Sequence, residues 1–296
     1  MNGGQEGDRF VWLVEMEEVS YTYPGSTKSA LDGITMRIPK GKRCALLGHN
    51  GCGKSTLFLH MNGIYRPHSG TLNWNGEPYT YNRASLAELR RRVGLVFQDP
   101  EQQLIASTVE EDVSYGLCNA GMLEAEAVRK VQSTLARFGL DDLRERPVHH
   151  LSLGQKKRVA LAGVMVLRPE LLLLDEPTAY LDRLHTHRLL EELEAIHQEE
   201  GTTMLMATHD IDLAYEWSDW VFVMHEGRLV LEGTPDEVFA KREMLAEMRL
   251  GVPLLFDVWD ALGPSLLPDV TERPRTALEL KSRLERYVIE NKRKMR

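Results

Sequence analysis

The stretch Gly48-His-Asn-Gly-Cys-Gly-Lys54-Ser55-Thr56 follows the apolar run Cys44-Ala-Leu-Leu47. It precedes Leu57, Phe58, Met61 and Ile64, which recur at helical spacing. It satisfies G-x-x-x-x-G-K-[ST] between a strand and a helix, the context that gives the pattern its meaning. The glycines let the backbone curl so that successive N–H groups point inward at phosphate oxygens. The following helix adds the partial positive charge of its N-terminus. Lys54 is placed to reach the β- and γ-phosphates of a nucleotide, and the Ser55 hydroxyl to ligate Mg²⁺. Gly48, His49, Asn50, Gly51, Cys52, Gly53, Lys54, Ser55 and Thr56 are therefore candidate nucleotide-binding residues. Cys52 reads as a small neutral filler rather than a redox switch; a thiolate favoured by the helix terminus would let alkylation block ATP.

Further apolar runs share the character of Cys44–Leu47. They are Val93-Gly-Leu-Val-Phe97, Leu171 to Leu174 and Met204 to Ala207, and helical stretches separate them. Buried runs alternating with helices describe a parallel sheet covered on both faces. Leu171-Leu-Leu-Leu-Asp175-Glu176-Pro177 is such a run ending in two carboxylates. Asp175 is placed to hold Mg²⁺ through water, and Glu176, pointing elsewhere, to polarise an attacking water. His209 follows the run ending at Ala207, at the edge where open α/β sheets bind ligands, and reads as a sensor of the γ-phosphate. Gln98 ends the Val93–Phe97 run at the same edge, where an amide helps position Mg²⁺ and water. Each of these is bland in isolation; the phosphate loop gives them weight.

The composition bounds the rest. The 296 residues carry 36 Lys and Arg against 44 Asp and Glu, a formal charge of −8, with 43% hydrophobic residues. This is one large folded domain, or one with appendages, and not a disordered or collagen-like chain. Three scattered cysteines (Cys44, Cys52, Cys118) suggest a reducing compartment. The longest apolar run, Val159 to Leu167, is less than half the roughly 20 residues a spanning helix needs. The polar start MNGGQEGDRF is no signal peptide, and the acidic balance argues against a partner bound by phosphate neutralisation, so no nucleic acid is expected.

Phe10 to Tyr23 and Ile34 to Ile38 alternate as half-buried antiparallel strands do. Val128, Val131, Leu135 and Phe138 mark a helix stopped by Gly139, and Leu189, Leu190, Leu193 and Ile196 another. Trp220 to Met224, a Glu226-Gly227 turn and Arg228 to Leu231 read as a hairpin. Trp217 and Trp220 begin it as core residues rather than a binding platform. Thr234-Pro-Asp-Glu237 is a capped helix start. Beyond about residue 240, Gly251, Pro253, Gly263, Pro264, Pro268 and Pro274 break the text before a last helical pattern through Leu280, Leu284, Tyr287 and Val288. The final twelve residues hold five basic and two acidic groups.

Leu151-Ser152-Leu153-Gly154-Gln155, followed by Lys156-Lys-Arg158, narrows the class. Here the sequence resembles the ATP-binding cassette family of transport ATPases, whose signature is LSGGQ. The resemblance covers about residues 11–240 and includes the phosphate loop, Gln98 as the Q-loop and Asp175 with Glu176 as the Walker B pair. Ala179-Tyr-Leu-Asp182 resembles the D-loop, His209 the switch histidine, and Tyr23 the aromatic that stacks on adenine. It implies an α/β fold of the P-loop NTPase kind with an antiparallel β subdomain, a helical signature subdomain over about 99–167 and a C-terminal helical extension over 241–296. It also implies ATP and Mg²⁺ as cofactors, and a site split between two cassettes packed head to tail. Ser152, Gly154 and Gln155 of one would then face the ATP of the other, across a second helix N-terminus. Leu153 departs from the pattern; a backbone N–H survives there, but any need for positive φ would be strained.

The segment Phe97-Gln-Asp-Pro-Glu-Gln-Gln103 through Val113 is similar to energy-coupling factor importers of vitamins and transition metals. Leu57 to Pro67 and Arg146-Pro-Val-His-His-Leu-Ser152 are most like the cobalt-importer subunit. This resemblance implies a second ATPase subunit, a transmembrane energy-coupling subunit and a substrate-binding membrane subunit as partners, at the cytoplasmic face of the cell membrane. A nickel or vitamin importer is the near alternative, and a soluble cassette protein of translation or DNA maintenance the alternative of another class. Glu176 and His209 argue against a regulator without turnover. His149-His150 and His185-x-His187 tempt as a site for the transported ion, yet neither spacing shares a helix face. The C-terminal segment reads as a helical extension packing on the cassette or its mate, with anionic lipid as another use for its basic end.

Overall fold

The computed structural model describes residues 11–266 and 272–294. The glycine-rich start, the strand beginning read at Phe10, Pro268 and the last two residues lie outside the described residues. Two sheets carry the fold. In the first, β1 (Trp12–Tyr21), β2 (Leu31–Pro39), β4 (Ser69–Trp74) and β5 (Glu77–Pro78) run antiparallel in the order β2-β1-β4-β5. The second contains β3 (Arg43–Leu47), β6 (Val93–Val96), β7 (Leu171–Asp175), β8 (Thr203–Thr208), β9 (Trp220–His225) and β10 (Arg228–Gly233). Its order is β10-β9-β3-β8-β7-β6, parallel throughout except for β10 on β9.

Why the apolar runs were continuous rather than alternating follows from which core each residue enters. Successive strand residues point to opposite faces. Cys44 and Leu46, Leu171 and Leu173, Leu205 and Ala207 share one core with β1, β2 and the helix α1 (Lys54–Met61). Leu172, Leu174, Met204 and Met206 enter a second, beneath α3 (Val109–Asn119), α4 (Glu124–Arg137), α5 (Leu153–Met165) and α6 (Arg183–Glu200). Ala45 and Leu47 enter a third with α7 (Ile211–Trp217), α8 (Pro235–Phe239), α9 (Arg242–Glu247) and the first residues of α10 (Leu254–Leu266). A last helix, α11, spans Ala277–Lys294. Strands β3, β6, β7 and β8 are buried on both faces, so no polar alternation is needed there.

Several local readings hold in detail. Thr234 and Glu237 form the capping box, Gly139 turns the chain left-handed (φ 59) after α4, and Glu226-Gly227 closes the β9–β10 hairpin with both φ positive. Others shift. Helix α1 stops at Met61, and Ile64 lies outside it, exposed. Val128 is on the open side of α4, whose buried stripe is Ala127, Val131 and Leu135. Trp217 ends α7 rather than starting the hairpin, and it is buried in the second core. The antiparallel sheet also gains β4 and β5, joined through Asn75-Gly76 with φ of 49 and 82, the positive pair a two-residue hairpin turn requires. Between β5 and β6 lies an unanticipated helix, α2 (Arg83–Arg92), whose only buried residue is Leu89.

The edge strand β6 touches α5 so closely that a Cβ added at Gly94 would overlap Val164 Cγ1 and stand 3.1 Å from Pro169 Cγ. Gly94→Val should therefore cost on the order of 1–3 kcal/mol through overpacking. Urea denaturation monitored by circular dichroism checks this, and an unchanged midpoint would mean that α5 moves aside without penalty.

Candidate functional site

Strand β3 ends at Leu47, and the chain curls through 48–53 before α1 begins at Lys54. Two glycines make the curl possible. A Cβ at Gly48 would stand 2.5 Å from Met224 O and 2.6 Å from Cys52 Sγ; at Gly53 (φ 112) it would stand 2.5 Å from Ala30 O. Cys52 is buried, and that burial pushes its thiol pKa up in spite of nearby Lys54. It fills space under the loop, as its place in the motif suggested.

The loop forms one wall of a cleft of about 470 Å³, which Tyr23, Lys54, Ser55, Gln98, Asp175 and Glu176 also line. The parallel register brings them together: Leu47 pairs with Thr208, Asp175 with Ala207 and Val96 with Leu174, so the loops after β3, β8, β7 and β6 emerge along one edge. The Lys54 ammonium, 6% exposed, donates to Gly48 O at 2.6 Å and stands 3.9 Å from Glu176 Oε1. Burial raises the pKa of Asp175, while the Ser55 hydroxyl bonded to it and Lys54 pull the other way.

Glu176 leaves the strand with φ 44, a left-handed conformation unusual for a side chain other than glycine, and its N–H still reaches Ala207 O at 3.0 Å. Such strain persists where the surroundings over-determine it. Glu176 Oε2 accepts from His209 Nδ1 at 2.9 Å, and among the described residues Oε1 has no hydrogen-bond partner although it is buried. With a carboxylate as acceptor, Nδ1 carries the proton, so the imidazole's second nitrogen is left to act elsewhere. The Glu176–His209 pair joins two residues that the sequence treated separately. Tyr23 is braced by its hydroxyl on Thr56 Oγ1 (2.9 Å) and by its ring, edge-on to Tyr21 and Tyr65.

The signature residues lie elsewhere. Ser152 caps α5, accepting from Gln155 N, while Gln155 Oε1 accepts from Ser152 N at 2.9 Å. Gln155 thus spends its side-chain oxygen on the cap. Leu153 is the first helical residue and is not among the positive-φ residues, so the strain considered for it does not arise. Gly154 packs on the imidazole of His185, 3.2 Å from a Cβ it would carry to His185 Cδ2. None of these four lines the cleft holding Lys54.

The two histidine pairs singled out in the sequence have local partners. His185 bonds Asp182, His187 stands 3.3 Å from Glu191, and His149 and His150 lie ring against ring.

Lys157 is a residue that sequence reasoning passed over as part of the basic run after the signature. Its ammonium, 5% exposed, donates at 2.8 Å to both Pro177 O and Ala179 O, tying α5 to the turn after Glu176. Burial lowers its pKa to about 8.

The ABC transporter family profile matches residues 31–179. A Nostoc protein named as an ABC transporter ATP-binding protein is 59% identical over 247 residues, 83% of this chain and 90% of the relative. The energy-coupling factor transporter ATP-binding protein EcfA3 of Clostridium perfringens is 43% identical over 251 residues, 85% of this chain and 88% of the relative. Among solved structures, cbiO1 of Clostridium perfringens, part of the ABC transporter complex cbiONQ, superposes with a TM-score of 0.71 at 43% identity, covering 84% of this chain and 99% of that one. An ATP-binding cassette solved as a dimer in a post-hydrolysis state with ADP and Pi gives 0.68 at 25% identity, covering 75% and 99%. The chain belongs to the ABC transporter family and is an ATPase of that family.

Two outcomes follow from this geometry. Glu176→Gln should lower hydrolysis by at least about 100-fold, the smaller end of what a general base contributes, while ATP still binds; near-normal turnover would remove Glu176 as the base. For Lys157, the unfolded chain keeps its proton up to the ordinary pKa of 10.5, whereas the folded chain releases it near 8. Folding stability should thus rise with pH across that window on account of this lysine. Unfolding free energies at pH 7.5 and about 9.5 should diverge between wild type and Lys157→Met. Parallel profiles would refute the assignment.

Proposed function

We propose that this chain is the ATP-hydrolysing subunit of an energy-coupling factor importer, with cobalt ion as the cargo, and that its ATP sites are shared between two copies. Likeness over most of the chain to EcfA3 and cbiO1 supports the transport role. The observation that carries the shared site is internal: the capped N-terminus of α5, with Ser152 and Gly154, does not line the cleft that holds Lys54. A helix N-terminus aimed at phosphate is useful only if phosphate reaches it, and a partner's nucleotide would do so.

In this reading residues 11–240 are the cassette, 99–167 its helical subdomain and 241–296 the extension. Gly48 to Thr56 hold the ATP phosphates, Tyr23 the adenine, and Ser152, Gly154 and Gln155 complete the partner's site. The donor set fits Mg²⁺: the Ser55 hydroxyl, the buried Asp175 carboxylate it bonds and the Gln98 amide are hard oxygen ligands at one cleft. Bound there, Mg²⁺ supplies charge neutralisation for transfer of the γ-phosphoryl group. Glu176, which lines the cleft, polarises the attacking water, and His209 fixes the carboxylate by donating to Oε2.

The docking surface for a transmembrane partner follows Gln98. Asp112, buried at the start of α3, accepts from Ile105 N at 2.8 Å and Ala106 N at 3.0 Å, which presents Ile105 to solvent (62% exposed) on a braced loop. Gln103 is turned inward: it accepts from Phe97 N at 3.1 Å and donates to Ala160 O at 2.9 Å. It therefore links the end of β6 to the signature helix instead of touching a partner, and a push on the loop reaches Gln98 and α5 together. Among the described residues no helix is long and apolar enough to cross a membrane. A peripheral station at the cytoplasmic face, beside membrane subunits, is consistent with that.

Uptake of radiolabelled Co²⁺ by cells with and without the gene, with nickel and vitamin arms, tests the cargo; uptake of nickel or a vitamin alone would displace cobalt. Gln102→Ala with Ile105→Asp should weaken partner binding by about tenfold or more, the effect of losing one interface anchor. ATPase activity of the purified chain should persist while uptake falls. Unchanged uptake would move the docking surface elsewhere.

A further inference from the structure

The phosphate loop is held from behind as well as from the cleft. His49 Nε2 lies 2.7 Å from the backbone carbonyl oxygen of Met248, 199 residues further along the chain. A carbonyl can only accept, so Nε2 carries the proton and donates. Met248 caps α9, after which the chain turns through a left-handed Arg249 (φ 56). Arg249 N donates to Ala246 O at 2.9 Å and Leu250 N to Leu245 O at 2.8 Å. This paired closure satisfies two of the helix-end carbonyls and leaves that of Met248 to His49. An arginine in a conformation that suits glycine stays there because its surroundings insist. Leu245, Met248 and Leu250 are buried in the same core as Ala45 and Leu47 of β3, the strand that launches the loop.

The same C-terminal segment grips α7, the helix that follows His209. Leu254 N donates to Asp212 Oδ1 at 2.8 Å. Arg275 Nε donates to Tyr215 O at 2.7 Å, its other nitrogen reaches Ser218 O, and its guanidinium lies 4.9 Å from the Tyr215 ring centroid. One segment is thus fastened both to the phosphate loop and to the helix behind the strand-end histidine.

We propose that His49 is a positioning residue for nucleotide: through the Met248 carbonyl, the C-terminal helices hold the phosphate loop in its gripping curve and tie it to α7. The proposal rests on reading residues 48–56 as the ATP site. A loop already held in its bound shape loses less conformational freedom when phosphate arrives, so the tether contributes to affinity without touching ATP.

The test uses the full-length chain as wild type, His49→Leu and His49→Gln. The glutamine side chain can offer an N–H where Nε2 stood; leucine cannot. ATP affinity is measured by calorimetry with Mg²⁺, and amide exchange at Arg249 and Leu250 with and without ATP. His49→Leu should bind ATP about tenfold more weakly, the order of one lost hydrogen bond, and His49→Gln should stay within about threefold of wild type. ATP should slow exchange at both amides in wild type and His49→Gln but not in His49→Leu. Wild-type affinity in His49→Leu, or a His49→Gln as weak as His49→Leu, would overturn the proposal. Exchange in the wild-type chain that ignores ATP would overturn it too, without recourse to any variant. A folded wild-type chain that binds no ATP would instead overturn the nucleotide-site reading beneath it.

Discussion

The ladder of parallel pairings from β3 through β8 and β7 to β6 is what the rest of the molecule depends on. Each pairing fixes where the next strand stops, and all four stop along one edge. Glu176 N–H continues the ladder one step past the strand by bonding Ala207 O. That bond holds the backbone at the point where φ turns positive and redirects the carboxylate from the sheet toward the cleft. Slipping one strand by a residue would reverse which side chains face each core. It would also carry Asp175, Glu176 and His209 out of reach of Lys54. The chemistry of the edge is therefore secured by the apolar burial of strands whose side chains never meet a ligand.

That dependence explains what could be read in the amino-acid sequence. The phosphate loop, the Asp175-Glu176 strand end and the capping boxes at Ser152 and Thr234 are local patterns whose meaning lies within a few residues. Fully buried strands are legible because covering both faces demands unbroken apolar runs. Helix α2 was not, because its contact with the core is only Leu86 and Leu89, too short a stripe to stand out among its charged residues. The β4–β5 hairpin did announce itself in Asn75-Gly76, a signal available but not used. Leu153 shows the converse. A departure from the family signature suggested strain, yet the first position of a helix takes ordinary helical angles and tolerates a leucine.

Long-range polar contacts were invisible for a different reason. Glu176 with His209, Gln103 with Ala160, Lys157 with Pro177 and His49 with Met248 each join a side chain to a partner that only the folded chain selects. Three of these four partners are backbone carbonyls, which every residue possesses and no composition or motif reveals. Their common feature is that each joins residues 20 or more positions apart, in different elements of the fold. Gln103 spans the Q-loop strand and the signature helix, Lys157 the signature helix and the turn after Glu176, and His49 the phosphate loop and the C-terminal segment.

Under the proposed split of the sites between copies, such cross-links matter because each half must sense the other. The two ends of one chain's machinery, the Lys54 cleft and the Ser152 helix start, would face different nucleotides. They are joined inside the chain by Lys157, buried at 5% exposure with both its carbonyl partners on the turn between Glu176 and Asp182. A lysine with a strongly depressed pKa is an expensive way to fasten a helix to a turn, since desolvating an ammonium opposes folding at neutral pH. An apolar side chain would pack there without that cost but could not hold two carbonyls in fixed directions. The charge fixes the turn after Glu176 against the signature helix, and under the proposed split of the sites motion at one nucleotide would pass to the other through that contact.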